Sequence, residues 1–472
     1  MIRERRAVIQ SLISALATKP FVMLAGISGS GKTQLARRIA AGLAAGLKEN
    51  GRFSGKMLGG EVSGPSFRQM LISSDVVPSL EGEDGNEYVD VHELGGVDLS
   101  EQSAKDIRWM LRDRVAFLPV RPDWADSRKV WGYYNPLTGL YYPTDAMRVA
   151  THAYLEYIKY GDAAPRHFIV LDELNLARVE YYLSDLLSLM ECPAKLEGDR
   201  IRMGEFASVH PFSRPLWSQS APQIEMGSET SSHEQIFIGR MDIGFALAYH
   251  YLCLASSSSL VPRVSIDFDQ VIHGADWARI IPPRVTFTPN LCIIGTVNVD
   301  ETTFSFAPKV LDRAFVLEFN EANYEAVCST WPGYDQIKDE LAVLYTLLRP
   351  SNQHFGYRVV NELLHYLASS QGGWAAQGDF LLTSKVLPKL RGGEDRLGSV
   401  LPPLLVYSIL GARDVDLLNT KAAEFVMDIA EGGTLKNVLK KLGVETARYP
   451  MTADKVYRMT RQLLETGLTS FF

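Results

Sequence analysis

Residues 26–33 read Gly-Ile-Ser-Gly-Ser-Gly-Lys-Thr, a full G-x-x-x-x-G-K-[ST] phosphate-binding pattern. In such a loop the glycines let backbone N–H groups turn inward around a β-phosphate. Lys32 reaches the β- and γ-oxygens, and the Thr33 hydroxyl ligates Mg2+. Much further along, Leu171-Asp172-Glu173 sets two adjacent carboxylates at the end of an apolar run. A carboxylate there holds Mg2+, usually through water, and its neighbour Glu173 polarises an attacking water. Asn298 closes the run Gly295-Thr296-Val297-Asn298. It either orients that water, contacts the γ-phosphate, or serves as a plain turn residue. Arg313, in Lys309-Val310-Leu311-Asp312-Arg313-Ala314, is either a surface ion-pair member or an arginine finger. The chemistry these residue types describe together is hydrolysis of a nucleoside triphosphate.

That chemistry requires a strand before the loop and a helix after it. Phe21–Ala25 reads as a short buried strand. Leu35, Ile39, Leu43 and Leu47 recur as one face of a helix whose N-terminal dipole adds to the anion site. Further strands are expected at 115–120, 167–171, 291–295 and 315–319, with a helix at about 178–191 and a hairpin at 194–203 around Gly198-Asp199. Residues 1–18 read as an amphipathic helix. Two polar stretches, about 49–100 and 204–283, read as insertions, the second with a helix candidate near 241–255. Arg214, Arg240, Arg263, Arg279, Trp217 and Trp277 in the second give it a composition suited either to nucleic acid or to a small packed subdomain. From about 321 onward the pattern is helical, with helices at 336–348, 357–369, 398–410 and 452–466. The expected fold is α/β: a parallel sheet flanked by helices over 1–320, then a C-terminal helical domain over 321–472.

Bulk properties narrow the setting. The chain has 472 residues, 46% apolar and 22% charged, and a net charge of −7 from 48 Lys+Arg and 55 Asp+Glu. No whole-chain basic field exists to hold a polyanion. Cys192, Cys253, Cys292 and Cys328 are scattered without a C-x-x-C pair, which fits free thiols in a reducing compartment. The nine histidines show no paired ligand spacing, and the Tyr133-Tyr134, Tyr141-Tyr142 and Tyr181-Tyr182 doublets read as packing residues. Without a signal peptide or an 18-residue apolar run, the expected location is the cytoplasm, away from any membrane.

Several stretches together resemble an AAA+ NTPase of the McrB type, the motor subunit of modification-dependent restriction systems. They are Leu24–Ala36, Val130–Pro136, Leu171–Tyr182, Ile294–Thr303 running on to Pro308–Arg313, and Phe355–Glu362 with Val386–Lys389 after it. The resemblance implies an AAA+ P-loop fold whose helical C-terminal domain is a lid. It assigns Gly26, Ser28, Gly29, Ser30, Gly31, Lys32, Thr33 and Gln34 to the nucleotide, with Thr33 and Asp172 holding Mg2+. Glu173 becomes the catalytic carboxylate, Asn298 the sensor-1 residue and Arg313 a finger acting between subunits. Arg358 becomes a sensor-2 arginine, and Asn175 the position through which a partner stimulates hydrolysis. The substrate is GTP or ATP, and the implied assembly is a hexameric ring with a separate McrC-like nuclease subunit. The loop begins at residue 26, so no amino-terminal DNA-reading domain is expected and DNA contact runs through the complex. Two other readings share the motifs: a MoxR-like chaperone that remodels a protein partner, and a nucleotide-gated platform with negligible turnover.

Overall fold

Apolar runs of five to eight residues form the central sheet: β1 (Phe21–Gly26), β2 (Val115–Pro119), β3 (His167–Asp172), β4 (Leu291–Asn298) and β5 (Ala314–Phe319). All pair in parallel, in the order β5-β1-β4-β3-β2. The computed structural model describes residues 11–44, 114–211 apart from 199, 284–299 and 304–472, together with short strand pieces at 80–81, 87–88, 216–217, 260–262 and 280–281.

Alternate side chains of each strand leave by opposite faces, so a sheet made of continuous apolar runs must be covered twice. On one face Val22, Leu24, Phe168, Val170 and Ile294 meet Ala36, Ile39, Ala40 and Leu43 of α1 (Lys32–Ala44), with Leu12 and Leu16 ahead of β1. Leu35, expected on that helix face with Ile39 and Leu43, is only half buried, because the buried stripe is centred on Ala36, Ile39 and Ala40, and Leu47 lies outside the described residues. On the other face Phe21, Met23, Ile169, Leu171 and Ile293 meet Met147 and Ala150 of α2 (Asp145–Tyr160) and Leu183, Leu186 and Leu187.

The C-terminal region is helical and has its own core, running from Ala322 to Leu463. Its principal helices are α3 (Lys338–Leu348), α4 (Tyr357–Ser369), α5 (Leu401–Leu410) and α6 (Pro450–Thr466). The α5 sequence, Leu-Pro-Pro-Leu-Leu-Val-Tyr-Ser-Ile-Leu, is apolar on all sides and is accordingly buried almost throughout. Inside this core the Tyr407 hydroxyl donates to Glu340 Oε2 at 2.5 Å, while Arg413 donates to Oε1 at 3.1 Å. Among the described residues no helix is long and apolar enough to cross a membrane.

Several sequence expectations need correction. The helix expected at 178–191 is split into Val179–Tyr182 and Ser184–Leu189, with Leu183 at the break. There the Leu183 side chain turns fully into the core, and the Tyr182 hydroxyl reaches back to the Leu174 carbonyl at 2.8 Å. A hairpin, Gly132–Asn135 against Leu140–Pro143, lies between β2 and α2. The tyrosine doublets divide: Tyr141 in the hairpin and Tyr182 at the end of Val179–Tyr182 are core residues, whereas Tyr133 and Tyr181 face solvent. The period-two alternation of a strand and the break after Tyr182 both force neighbouring side chains apart. The hairpin at Lys195–Glu197 and Arg200–Arg202 forms as expected. The helix candidate near 241–255, the arginines at 214, 240, 263 and 279, and most of both insertions lie outside the described residues.

His167, at the start of β3, is fully buried, and its Nδ1 lies 3.1 Å from the Pro165 carbonyl. Burial chiefly, then the charges of Arg114 and His152, hold its pKa well below the ordinary histidine range. Glu156, 3.8 Å from Nε2, does not reverse this, because its Oε1 accepts N–H bonds from Arg114 at 2.9 and 3.3 Å. A folded pKa below the unfolded value of about 6.5 means that the unfolded chain takes up the proton first. The contribution is whole above about pH 6.5 and declines as pH falls, by no more than about 1.4 kcal/mol per pH unit. Thermal melts from pH 7.5 to 5.5 should show a falling midpoint, with a shallower slope for His167→Leu. Equal slopes in the two proteins would place the acid sensitivity elsewhere.

Candidate functional site

The carboxyl ends of β1, β4 and β3 lie side by side, and each carries one part of a polar cluster. The loop after β1 turns through left-handed glycines, Gly29 at φ +79° and Gly31 at φ +90°, a conformation that a side chain would strain. Ser28, Gly29 and Ser30 are half buried, Gly31 is exposed, and Gln34 is exposed on the first turn of α1. Lys32, the first residue of α1, is 4% exposed. Its ammonium donates to the carbonyls of Gly26 at 2.8 Å and Ile27 at 2.6 Å, and to Ser30 Oγ at 3.4 Å. A cation is thus held within the loop itself, with the α1 N-terminus directed at the same place.

Beside it, the Thr33 hydroxyl donates to Asp172 Oδ1 at 2.6 Å, joining residues 139 positions apart in sequence. The Thr296 hydroxyl donates to the same oxygen, also at 2.6 Å. Thr296 in turn accepts the Glu173 N–H at 3.0 Å. Glu173 has φ 55° and ψ 52°, and it is one of two non-glycine residues with positive φ among those described. Such a backbone costs of order 1 kcal/mol and persists where its surroundings hold it, commonly at functional sites. Asn298 Nδ2 donates to Glu173 Oε1 at 3.3 Å. Asn175 is buried in the turn after Glu173, and its Nδ2 donates to the Asn298 carbonyl at 3.0 Å. Two backbone bonds close the ring of contacts: Val299 N–H to the Gly26 carbonyl at 3.2 Å and Phe304 N–H to the Asn175 carbonyl at 3.1 Å.

The structure therefore brings Lys32, Thr33, Asp172, Glu173, Asn298 and Asn175 together. Thr296 is a member that the sequence reading passed over, although its motif was visible. A threonine two residues before a strand-ending Asn projects to the same side of the sheet, and that spacing was the available signal. A hydroxyl and a carboxylate 2.6 Å apart offer hard oxygen donors of the kind Mg2+ prefers, with phosphate oxygens and water expected to complete its shell. Among the described residues no group of three or more His, Cys, Asp or Glu side chains is placed to hold a metal ion.

Arg358 reaches the site from the C-terminal region. It is the second residue of α4, is exposed, and its N–H donates to the Gly29 carbonyl at 3.4 Å. Gly356, just before α4, packs against the loop so closely that a Cβ there would stand within 2.6 Å of Gly29 and Ser30 backbone atoms. Arg313 is not part of the cluster. It precedes β5, whose register pairs Ala314 with Phe21 and Phe319 with Gly26. At ~3.3 Å per strand residue, Arg313 lies roughly 20 Å from the loop of its own chain. There it donates to the carbonyls of Leu187 at 3.0 Å and Lys309 at 2.6 Å, and it pairs with Glu191.

Residues 330–469, nearly all of the helical C-terminal region, match a family described as Domain of unknown function (DUF8727). No curated protein matches the chain.

The contact of Gly356 with the loop generates a direct expectation. Gly356→Ala must push α4 from Gly29 and Ser30 or shift the loop, and overpacking of this kind costs about 1–3 kcal/mol. A lowered thermal midpoint should accompany faster amide exchange across residues 27–31. Unchanged exchange there would show that α4 does not brace the loop.

Proposed function

We propose that this chain is a ring-forming AAA+ nucleoside triphosphatase, hydrolysing GTP or ATP with Mg2+. We further propose that it serves as the motor subunit of a McrBC-like restriction complex with a separate nuclease. The observation that carries the hydrolase reading is the single cluster in which Thr33 meets Asp172 at 2.6 Å while Glu173, next in sequence, meets Asn298 at 3.3 Å. A loop that binds phosphate, a hydroxyl–carboxylate pair for a cation and a separate carboxylate for water are the parts that phosphoryl transfer to water requires.

In this reading Lys32 exchanges the Gly26 and Ile27 carbonyls for β- and γ-phosphate oxygens. The loop N–H groups and the α1 dipole hold the remaining phosphate charge. Thr33 and Asp172, the latter directly or through water, would hold Mg2+, which would supply positive charge beside the phosphates. Glu173 accepts the proton of the water that attacks the γ-phosphorus, and Asn298 holds the Glu173 carboxylate in the orientation this needs. The bond to the β,γ-bridging oxygen breaks and the nucleoside diphosphate leaves. Asn175 is buried, so a partner's stimulus reaches it through its neighbours and passes through its bond to the Asn298 carbonyl. The position of Arg313, roughly 20 Å from its own loop by strand register, supports a role in a neighbouring subunit's site. Its carbonyl and Glu191 contacts would then open on assembly.

Turnover of ATP and GTP by the purified chain, with and without the adjacent gene's product, tests the reading. Lys32→Ala should abolish nucleotide binding. Glu173→Gln should retain binding and lose turnover by a factor of about 10²–10⁴. Arg313→Ala should bind nucleotide and still lose at least about 10³ in turnover. Size measurements with nucleotide should show a ring. A wild-type protein that is fully active as a strict monomer would overturn the ring, and one without turnover would overturn the hydrolase.

A further inference from the structure

β4 lies between β1 and β3, so its side chains can reach both the loop after β1 and the two acids at the end of β3. Thr296 and Asn298 stand two residues apart on β4 and therefore project to one side of the sheet. Their contacts keep that order: Thr296 meets Asp172, and Asn298 meets Glu173. A threonine hydroxyl has one proton to donate and lone pairs to accept. In Thr296 both functions are engaged, the proton by Asp172 Oδ1 and a lone pair by the Glu173 N–H. The residue is 2% exposed, so water does not replace either bond. Its β-branch further limits the rotamers from which these bonds can be made.

Asp172 Oδ1 accepts from two hydroxyls, and the two have different futures. Thr33 belongs to the loop, and its oxygen is the one that would turn a lone pair toward a cation. Thr296 belongs to the sheet and stays. We infer that Thr296 is the positioning residue of this site: its hydroxyl fixes the Asp172 carboxylate for the cation and pins Glu173 in its left-handed backbone, so that both acids are presented together. This rests on the nucleotide-hydrolysing reading above. Thr296 is buried and bonded to both acid residues. It acts through the two carboxylate residues, in the way that outer residues orient metal ligands.

The variants Thr296→Val, which keeps the shape and removes the hydroxyl, and Thr296→Ser, which keeps the hydroxyl, separate position from packing. Binding of a fluorescent nucleotide is measured in EDTA and across a Mg2+ titration, beside turnover and thermal midpoint. Thr296→Val should bind in EDTA within about twofold of wild type, because the loop is untouched. Its half-saturating Mg2+ should rise and its kcat fall, each by about 10–100-fold. Thr296→Ser should recover both to within about threefold. A Val variant with wild-type Mg2+ dependence and kcat would overturn the inference. So would a folded Ser variant that loses Mg2+ coupling, a result that decides the matter even if Thr296→Val does not fold. Wild type that binds nucleotide with Mg2+ but never turns it over would sink hydrolysis alone, and the Mg2+ titration would still decide Thr296. Wild type whose nucleotide binding gains nothing from Mg2+ would overturn both.

Discussion

The contact on which the rest of the site depends is the hydrogen bond from the Thr33 hydroxyl to Asp172 Oδ1. It joins the first turn of α1 to the end of β3 across 139 residues. Neither partner can arrive there alone. α1 must begin where β1 ends, and β3 must end level with it although β4 lies between them. The sheet order supplies that level. Gly26 is in register with Asn298, and Gly295, three residues earlier, is in register with Leu171, so the three strands finish within a turn of one another. Continuous apolar strands, covered on both faces, bring these ends to one edge, and polar residues are left to gather there.

Much of this was legible in the chain itself. The loop pattern is complete in the sequence, and Phe21–Ala25 before it and the apolar spacing after it give its strand and helix. The ends of β3 and β4 were recognisable because an apolar run stops at Asp172-Glu173 in one case and at Asn298 in the other. What the chain did not disclose was pairing. Sequence spacing cannot say that β4 enters between β1 and β3, and without that order Thr296 is one more threonine in a strand. The hairpin at 132–143 was hidden for a related reason. Its Tyr-Tyr doublets satisfy a core pattern and a strand pattern equally well, and the alternation is decided by which face finds a neighbour.

The C-terminal region meets the loop through its backbone. Gly356 meets Gly29 and Ser30 without room for a Cβ, and the next residue but one donates its N–H to Gly29. Contacts of this kind are short-ranged and do not stretch, so a displacement of the start of α4 is felt directly by the loop. They also set the Arg358 side chain, exposed and beside Gly29, on a helix whose position is fixed by the loop. The region that matches a family described by unknown function therefore includes the residues in contact with the glycine loop.

Charge supplies the last step. In the proposed function a triphosphate would bring several negative charges to an edge that already carries Asp172 and Glu173. Against them one chain sets Lys32, the loop N–H groups, the α1 dipole and, on α4, Arg358. Arg313 lies at the other end of β5, and no rotation of its side chain spans roughly 20 Å. In the isolated chain its guanidinium is instead satisfied by two carbonyls and by Glu191. These bonds keep a half-buried cation at the surface at little cost, and in the proposed ring an incoming subunit would have to offer something better to draw it away. Triphosphate charge is such an offer, because Arg matches phosphate oxygens with two parallel N–H bonds and a net attraction that a peptide carbonyl lacks. In the proposed ring, assembly and nucleotide occupancy would therefore favour each other, since each would supply what the other leaves unmet.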